Sequence, residues 1–161
     1  MLVVRRATPD DLPRAAALAA ELVRQHHAVD PGRFMLVDGV EAGYERWFRH
    51  ELGREQARIL VAELHGEIVG YAYGTLEARD WNLLLDEHGA IHDVLVAEPA
   101  RRGGTGRRLV EALIAELEAL GAPRIVLSTM VGNHSAQRLF AACGFRPTLL
   151  EMTRNRATDP R

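Results

Sequence analysis

The residues best suited to chemistry form a glycine-rich turn in the second half of the chain. The stretch Arg101-Arg102-Gly103-Gly104-Thr105-Gly106-Arg107-Arg108 follows a predicted strand and opens an amphipathic helix. Glycines let backbone N–H groups converge on a ligand without Cβ clashes. The helix N-terminus adds free N–H donors and a positive dipole end, beside four arginines. This pattern predicts a site for a multiply charged phosphate, although a glycine-rich turn with a solvated basic face has the same composition.

A second informative stretch, residues 133–145, lies one predicted strand further along the chain. Asn133 or Ser135 can cap a helix, Gly144 is typical of a helix end, and Phe145 opens another apolar run. Taken one at a time, these residues indicate only a helix cap, core packing and the end of a helix. Their distance from the glycine-rich turn makes the pair of motifs more informative than either alone.

The composition excludes several classes of mechanism. All 20 basic side chains are arginine, which excludes a Schiff-base lysine and a phosphate loop ending in Gly-Lys-Ser/Thr. Dinucleotide-binding glycines follow the first strand of a βαβ unit, whereas these come late. A net charge of −2 gives no global basic field for nucleic acid or a membrane. Cys143 is the only cysteine, which excludes an internal disulfide and favours a cytoplasmic location.

The periodicity of apolar residues predicts an α/β (α+β) fold with a mixed, mostly antiparallel central sheet and about four flanking helices. The length of 161 residues favours a single domain at 1–154 with a polar tail at 155–161. No segment has the pattern of a signal peptide or a membrane span. Strands are predicted at 2–4, 59–64, 67–76, 91–96, 125–130 and 145–152, and helices at 8–27, 40–52, 104–120 and 135–143.

Two motifs together resemble a known family. After a strand containing Val96, the chain carries Arg101-x-x-Gly104-x-Gly106, and further on Asn133-x-x-Ala136-x-x-Leu139-Phe140-x-x-x-Gly144-Phe145. These motifs resemble those of the GNAT N-acetyltransferase superfamily, and the order of elements in the first half also agrees. The resemblance implies a GNAT-like fold whose central sheet splays between two strands. It also implies acetyl-CoA as co-substrate, no metal, and direct attack of a primary amine on the thioester in a ternary complex.

The resemblance also implies which residues hold the cofactor. The pantetheine arm would pair with the freed edge of the strand at 94–96, and the loop N–H groups would cradle the pyrophosphate. Asn133 would contact the arm, and Arg138 could reach a phosphate or could be only an exposed arginine on the helix. The implied cofactor-binding residues are Val94, Leu95, Val96, Arg101, Arg102, Gly103, Gly104, Thr105, Gly106, Arg107, Asn133 and Arg138.

The family's usual general acid and base are missing. A tyrosine often stands where this chain has Phe140, and a related subgroup has a glutamate where this chain has Ser128. A water, Ser135 or Cys143 could supply the proton instead, or the thiolate could leave unprotonated near a helix end. Cys143 has packing as its simpler interpretation.

The remaining candidates for the catalytic base are His92 and Asp93. An imidazole is a suitable general base near neutral pH, and Asp93 could orient an amine or pair with an arginine. Each of the two could instead have only a structural role. Adjacent strand residues face opposite sides of a sheet, so we expect at most one of the two to face the cleft. A metal site from His88 and His92 would need helical spacing, whereas this segment is predicted to be a loop leading into a strand.

The acceptor is the least determined part of the prediction. His27, Phe34, Tyr44 and Trp47 could line its pocket, or could be a helix end and a core stripe. The favoured function is an acetyl-CoA-dependent N-acetyltransferase acting on an amine. The alternatives are a non-catalytic acyl-CoA-binding sensor with the same fold, which the missing acid and base favour, and a nucleotide-binding module unrelated to CoA. A homodimer is possible, and neither nucleic acid nor a membrane is expected as a partner.

Overall fold

Five strands and four α-helices make up the fold in a computed structural model that describes residues 1–157. Two single-turn 3₁₀ segments, Pro9–Asp11 and Glu98–Ala100, precede the first and third helices. None of the helices in this range has the length and apolar character needed to cross a bilayer. The elements in chain order are β1 (Leu2–Arg6), α1 (Leu12–Val29), α2 (Val40–Leu52), β2 (Ala57–Leu64), β3 (Glu67–Glu77), β4 (His88–Val96), α3 (Thr105–Ala119), β5 (Ile125–Leu127) and α4 (His134–Ala142).

The strands form one sheet in the order β1-β2-β3-β4-β5. The first three pairs are antiparallel and β4 pairs with β5 in parallel, which confirms the predicted mixed, mostly antiparallel sheet. Alternate residues of β2 enter two separate cores because side chains alternate across a strand. Ile59 and Val61 pack beneath α1 and α2, whereas Leu60 and Ala62 pack against α3. The sheet is therefore covered on both faces.

Local sequence rules account for several boundaries. The β2–β3 hairpin turns at His65 and Gly66, whose φ angles of 53° and 83° suit the right-handed twist of the strands. Helix α2 occupies the predicted residues, with an apolar face that buries Phe48. Helix α3 begins directly after Gly104, as the glycine-rich turn predicted.

The predicted last strand, 145–152, is wrong: no strand is assigned between α4 and residue 157. Pro147 lacks an N–H donor for a strand ladder. Leu149 and Leu150, which stand on opposite sides of an extended chain, are both exposed. The segment is held instead by an ion pair between Arg33 and Glu151. Of the predicted polar tail, residues 158–161 lie outside the described part of the chain.

Strand β1 is tied to the start of α1 by a charged network. The Arg5 guanidinium donates to both oxygens of Asp11, at 2.7 and 2.9 Å, and to Glu63 at 2.9 Å. Thr8 donates to the same Asp11 carboxylate through its backbone N–H at 2.7 Å and its hydroxyl at 2.9 Å. These hydrogen bonds, chiefly those from Arg5, lower the pKa of the largely buried Asp11 from 3.8 to about 2.

This pKa shift predicts a pH dependence of stability. Ionised Asp11 stabilises the folded chain above pH 4, and that contribution is lost as the pH falls towards 2. We expect Asp11→Asn to lower the free energy of unfolding at pH 7 by about 1–2 kcal/mol. Urea denaturation between pH 7 and pH 2 should show the two proteins converging at the acid end. Parallel curves over this range would contradict the assignment.

Candidate active site

The sheet splays where β5 ends. Strands β4 and β5 pair only through Gly89–Ile91 and Ile125–Leu127. Strand β4 then continues to Val96, while the chain after Leu127 leaves the sheet. Residues 92–96 therefore have an edge without a strand partner on the β5 side. This is the splayed geometry that the motifs implied.

A β-bulge lies directly after the last β4–β5 pair. Asp93 is opposite Tyr73 and Ile91 is opposite Gly74, so His92 is the extra residue. An extra residue breaks the alternation of side chains along the strand. The His92 ring lies 5.1 Å from the Tyr73 ring on the α1/α2 face, and the electrostatic neighbours of Asp93 include Tyr71 and His26 on the same face. The expectation that only one of His92 and Asp93 faces this side is wrong.

The glycine-rich turn forms an open helix end. Arg102 and the capping Gly104 have φ angles of 66° and 79°, which turn the chain sharply into α3. The first helical hydrogen bond joins the Arg108 N–H to the Gly104 carbonyl at 3.1 Å. The N–H groups of residues 105–107 therefore have no acceptor within the helix, which suits an anion. A Cβ on Gly103 or Gly104 would meet no atom within 4 Å.

The arginines around this helix end differ in their contacts. Arg101 donates through Nε to the Val96 carbonyl at 2.8 Å, and its guanidinium lies 4.0 Å from Glu21. Arg107 pairs with Glu111 at 2.7 Å on the surface of α3. Arg102 and Arg108 are exposed, and neither forms an ion pair with another residue of the range 1–157. Arg108 was missing from the predicted set, although it belongs to the same motif.

The second motif places α4 beside this loop. Asn133 caps α4, because its Oδ1 accepts the Ala136 N–H at 3.1 Å. A Cβ on Gly106 would approach Leu139 to 3.3 Å, so the glycine lets α3 and α4 pack closely. Arg138 is exposed on α4.

The side chains near α4 include few proton donors. Phe140 packs against Phe145, with ring centroids 6.0 Å apart, and belongs to the core beneath α3. Ser135 is exposed in the first turn of α4, and Ser128 is exposed just beyond the end of β5. Burial raises the pKa of the Cys143 thiol, with the nearby Glu111 charge acting in the same direction.

Asp93 is half-buried beside the half-buried Tyr44 of α2 and the fully buried Tyr71 of β3. Burial raises the pKa of Asp93, and the nearby Tyr71 hydroxyl partly opposes the shift. Burial and the Asp93 charge raise the pKa of Tyr44 to about 12 and that of Tyr71 well above its usual value. The Tyr71 hydroxyl is buried and has no hydrogen-bond partner in residues 1–157. Asp93 forms no ion pair with an arginine in the same range.

A buried carboxylate that sequence reasoning missed supports the other side of the site. Glu51 is fully buried at the end of α2 and accepts the Tyr73 hydroxyl at 2.5 Å. Arg54 donates to both Glu51 oxygens, at 3.0 and 2.9 Å. Thr75 and Glu77, also missed, contact His92. The signal was present as a run of polar residues at alternate positions of the buried strand β3: Tyr71, Tyr73, Thr75 and Glu77.

The predicted acceptor residues fall into two groups. Tyr44 and Trp47 lie on α2, Tyr44 near Asp93 and Trp47 near Tyr73, with the Trp47 ring half-exposed. His27 and Phe34 lie in and after the last turn of α1, where His27 Nδ1 donates to the Phe34 carbonyl at 2.8 Å. Among residues 1–157, no group of three or more His, Cys, Asp or Glu could hold a metal ion.

Comparison with known proteins decides the family. A model of the acetyltransferase (GNAT) family matches residues 20–145. The chain belongs to this family. Among curated GNAT relatives, a D-amino-acid N-acetyltransferase of Saccharomyces cerevisiae is 29% identical over 90 residues, 56% of this chain and 55% of that protein. An N-alpha-acetyltransferase of Sulfurisphaera tokodaii is 31% identical over 105 residues, 62% and 63% respectively. The chain therefore matches only about three fifths of the length of these relatives.

Solved structures share the GNAT fold over nearly the whole chain. The BH1408 protein of Bacillus halodurans superposes with a TM-score of 0.81 at 23% identity, covering 95% of this chain and 99% of that one. An aminoglycoside N-acetyltransferase, AAC(6')-Iy, in complex with CoA superposes with a TM-score of 0.75 at 15% identity, covering 98% and 95%. At these identities the likeness establishes the fold.

The Glu51 network predicts a stability effect for Tyr73→Phe. Removing the hydroxyl leaves the buried Glu51 carboxylate with fewer donors, so we expect the free energy of unfolding to fall by about 1–3 kcal/mol. Tyr44→Phe is the matched control, because no hydrogen bond from the Tyr44 hydroxyl is found in residues 1–157. Urea denaturation measures both variants. Equal effects of the two substitutions would contradict the assigned hydrogen bond.

Proposed function

We propose that the protein transfers the acetyl group of acetyl-CoA to a primary amine by direct attack in a ternary complex. The observation that carries this proposal is the position of His92 at the point where β4 and β5 separate. The unpaired edge of β4 leads from the open N-terminus of α3 to this point. A cofactor anchored by phosphates at the helix and lying along the strand would bring its thioester to His92.

On the cofactor side, the backbone N–H groups of residues 103–107 would bind the pyrophosphate, with Arg102 and Arg108 as free guanidinium groups. The pantetheine arm would pair with the β4 edge at residues 94–96 by backbone hydrogen bonds. Since Asn133 Oδ1 already caps α4, its amide NH₂ is the group available to the arm. The CoA complex of the structurally similar aminoglycoside N-acetyltransferase supports this choice of co-substrate.

On the acceptor side, Asp93 would orient the amine and His92 would take its proton. The amine nitrogen attacks the thioester carbonyl, the C–N bond forms, the C–S bond breaks, and CoA leaves as a thiolate. A backbone N–H of the unpaired β4 edge beside His92, where the thioester would lie, would stabilise the oxyanion. Tyr44 and Trp47 from α2 would line the acceptor pocket, with His27 and Phe34 at its outer end.

Helix α4 has no tyrosine that could donate a proton to the departing thiolate. Phe140 has no proton to donate. The proton would come from Ser135, Cys143 or water, or CoA would leave as the unprotonated thiolate. This feature is the argument for the second candidate function, an acyl-CoA-binding sensor without turnover. The two functions differ in one measurable result, the release of free CoA in the presence of an amine.

A negative charge introduced at position 103 tests the proposed cofactor site. A Cβ there meets open space, so Gly103→Asp and Gly103→Asn both fit, but only the aspartate repels phosphates. We expect Gly103→Asp to weaken acetyl-CoA binding about tenfold relative to Gly103→Asn, which has a side chain of the same shape without the charge. Isothermal titration calorimetry measures the dissociation constants. Stabilisation of the wild-type protein by mononucleotides, but not by acetyl-CoA, would instead identify a nucleotide-binding module.

The catalytic proposal is tested by thiol release across a panel of amines containing D-amino acids, short peptides with a free N-terminus, and aminoglycosides. We expect turnover with at least one amine, a fall in kcat of about 100-fold in His92→Gln, and no change at the exposed control position in His65→Gln. Acetyl-CoA binding should be retained in both variants. An unchanged rate and pH profile in His92→Gln would exclude the role of His92. Binding without turnover on any amine would favour the sensor.

A further inference from the structure

The His92 imidazole belongs to a chain of hydrogen bonds that the proposed reaction does not by itself require. His92 Nε2 lies 2.7 Å from Thr75 Oγ1, and the Thr75 hydroxyl donates to Glu77 Oε1 at 2.5 Å. The direct distance between His92 Nε2 and Glu77 Oε1 is 3.9 Å. Thr75 therefore stands between an imidazole and a carboxylate.

The number of protons in this chain determines its direction. A threonine hydroxyl has one proton to donate, and an ionised carboxylate can only accept. If the Thr75 hydroxyl donates to Glu77, Thr75 Oγ1 must accept a hydrogen bond from His92, whose proton is then on Nε2. The free lone pair of the neutral imidazole is then on Nδ1.

We propose that Thr75 and Glu77 are positioning residues that hold His92 as the Nε2–H tautomer and thereby make Nδ1 the base that receives the amine proton. This inference rests on the proposed function. On proton transfer, the N–H bond of the attacking amine breaks and an Nδ1–H bond forms. The resulting imidazolium keeps its Nε2–H hydrogen bond to Thr75, and Glu77 supplies the opposite charge through the Thr75 hydroxyl.

The surroundings of the ring fit this role. Thr75 is 1% exposed, so water does not compete for its hydrogen bonds, whereas the side chains of His92 and Glu77 are 40% and 43% exposed. Within residues 1–157, His92 Nδ1 has no hydrogen-bond partner. The Thr75 hydroxyl that links the two groups is thus shielded from water, while the imidazole itself remains open to an acceptor.

A stacked tyrosine fixes the plane of the ring. The Tyr73 ring lies 5.1 Å from the His92 ring with 32° between their planes. The Tyr73 hydroxyl is itself held by the buried Glu51, which Arg54 binds through both oxygens. The imidazole is therefore oriented by Tyr73 from one side and by Thr75 at one nitrogen.

Other charged groups face this region from each packed element. Asp93 adjoins His92 on β4, Glu77 faces it from β3, the Glu51–Arg54 pair comes from α2, and His26 comes from α1 on the side of Asp93. Glu51 is neutralised by Arg54, so the carboxylates next to the ring are Glu77 and Asp93. Glu77 offers the imidazolium formed by proton transfer an opposite charge 3.9 Å from Nε2.

The tautomer can be measured without any substrate. In protein labelled with ¹⁵N-histidine, long-range ¹H–¹⁵N correlation spectra distinguish the two neutral tautomers, and His92→Gln assigns the signals. We expect the Nε2–H tautomer for His92 in the wild type, retention in Thr75→Ser, and a mixture of tautomers in Thr75→Val. A wild-type Nδ1–H tautomer, or a spectrum unchanged by Thr75→Val, would overturn the proposal.

Kinetics test whether the tautomer matters to the reaction. We expect kcat to fall about 10- to 100-fold in Thr75→Val and Glu77→Gln, with the KM for acetyl-CoA unchanged, and to recover in Thr75→Ser to within about threefold of wild type. Thr75→Ser and Glu77→Gln keep the native shape, so they decide the matter if Thr75→Val does not fold. A wild-type kcat in Glu77→Gln, or in Thr75→Val when its His92 tautomers are mixed, would overturn the positioning role. A wild type that releases no CoA would overturn the proposed function, whereas the spectra test the hydrogen-bond chain independently.

Discussion

The early separation of β4 from β5 is the constraint on which the rest of the site depends. Parallel pairing covers three residues on each strand and ends at Ile91 and Leu127. The remaining β4 edge has no strand partner on this side, and it ends next to the N-terminus of α3. A longer parallel pair would occupy this edge, and a cofactor bound through its phosphates at α3 would then have no strand edge to pair with. The bulge at His92 begins at the same point, so the free edge and the two polar side chains meet there.

The two faces of the sheet have different chemistry. The face beneath α3 is an apolar core of leucine, isoleucine and valine, and it supports the helix whose open end suits an anion. The face beneath α1 and α2 buries polar groups, among them Glu51, Tyr73 and Thr75. Buried polar groups are costly unless they are paired, and the pairs found here hold the aromatic ring that lies against His92. The polar face thus supports His92, the proposed base, while the apolar face supports the proposed phosphate-binding loop.

Local rules predicted the parts of the fold that depend on neighbouring residues. The cap at Gly104, the hairpin at His65-Gly66 and the bounds of α2 each follow from a backbone preference or an apolar period within one short segment. The predicted strand 145–152 failed because a strand requires a partner edge, and its sequence is equally compatible with an extended segment held by the Arg33–Glu151 ion pair. The separation of β4 and β5 was implied by resemblance and not by composition.

By itself, the sequence determined the order of the elements from β1 to α4 and the glycine-rich turn before α3, since glycine conformations and helix caps are set within a few residues of chain. The tertiary structure alone decided that His92 and Asp93 face the same side, because a bulge is a property of the register between two strands. It also decided that Thr75 and Glu77 from β3 lie against His92 from β4, and that Glu51 is buried with Tyr73 and Arg54. Such contacts join residues that only the packing of distant elements brings together.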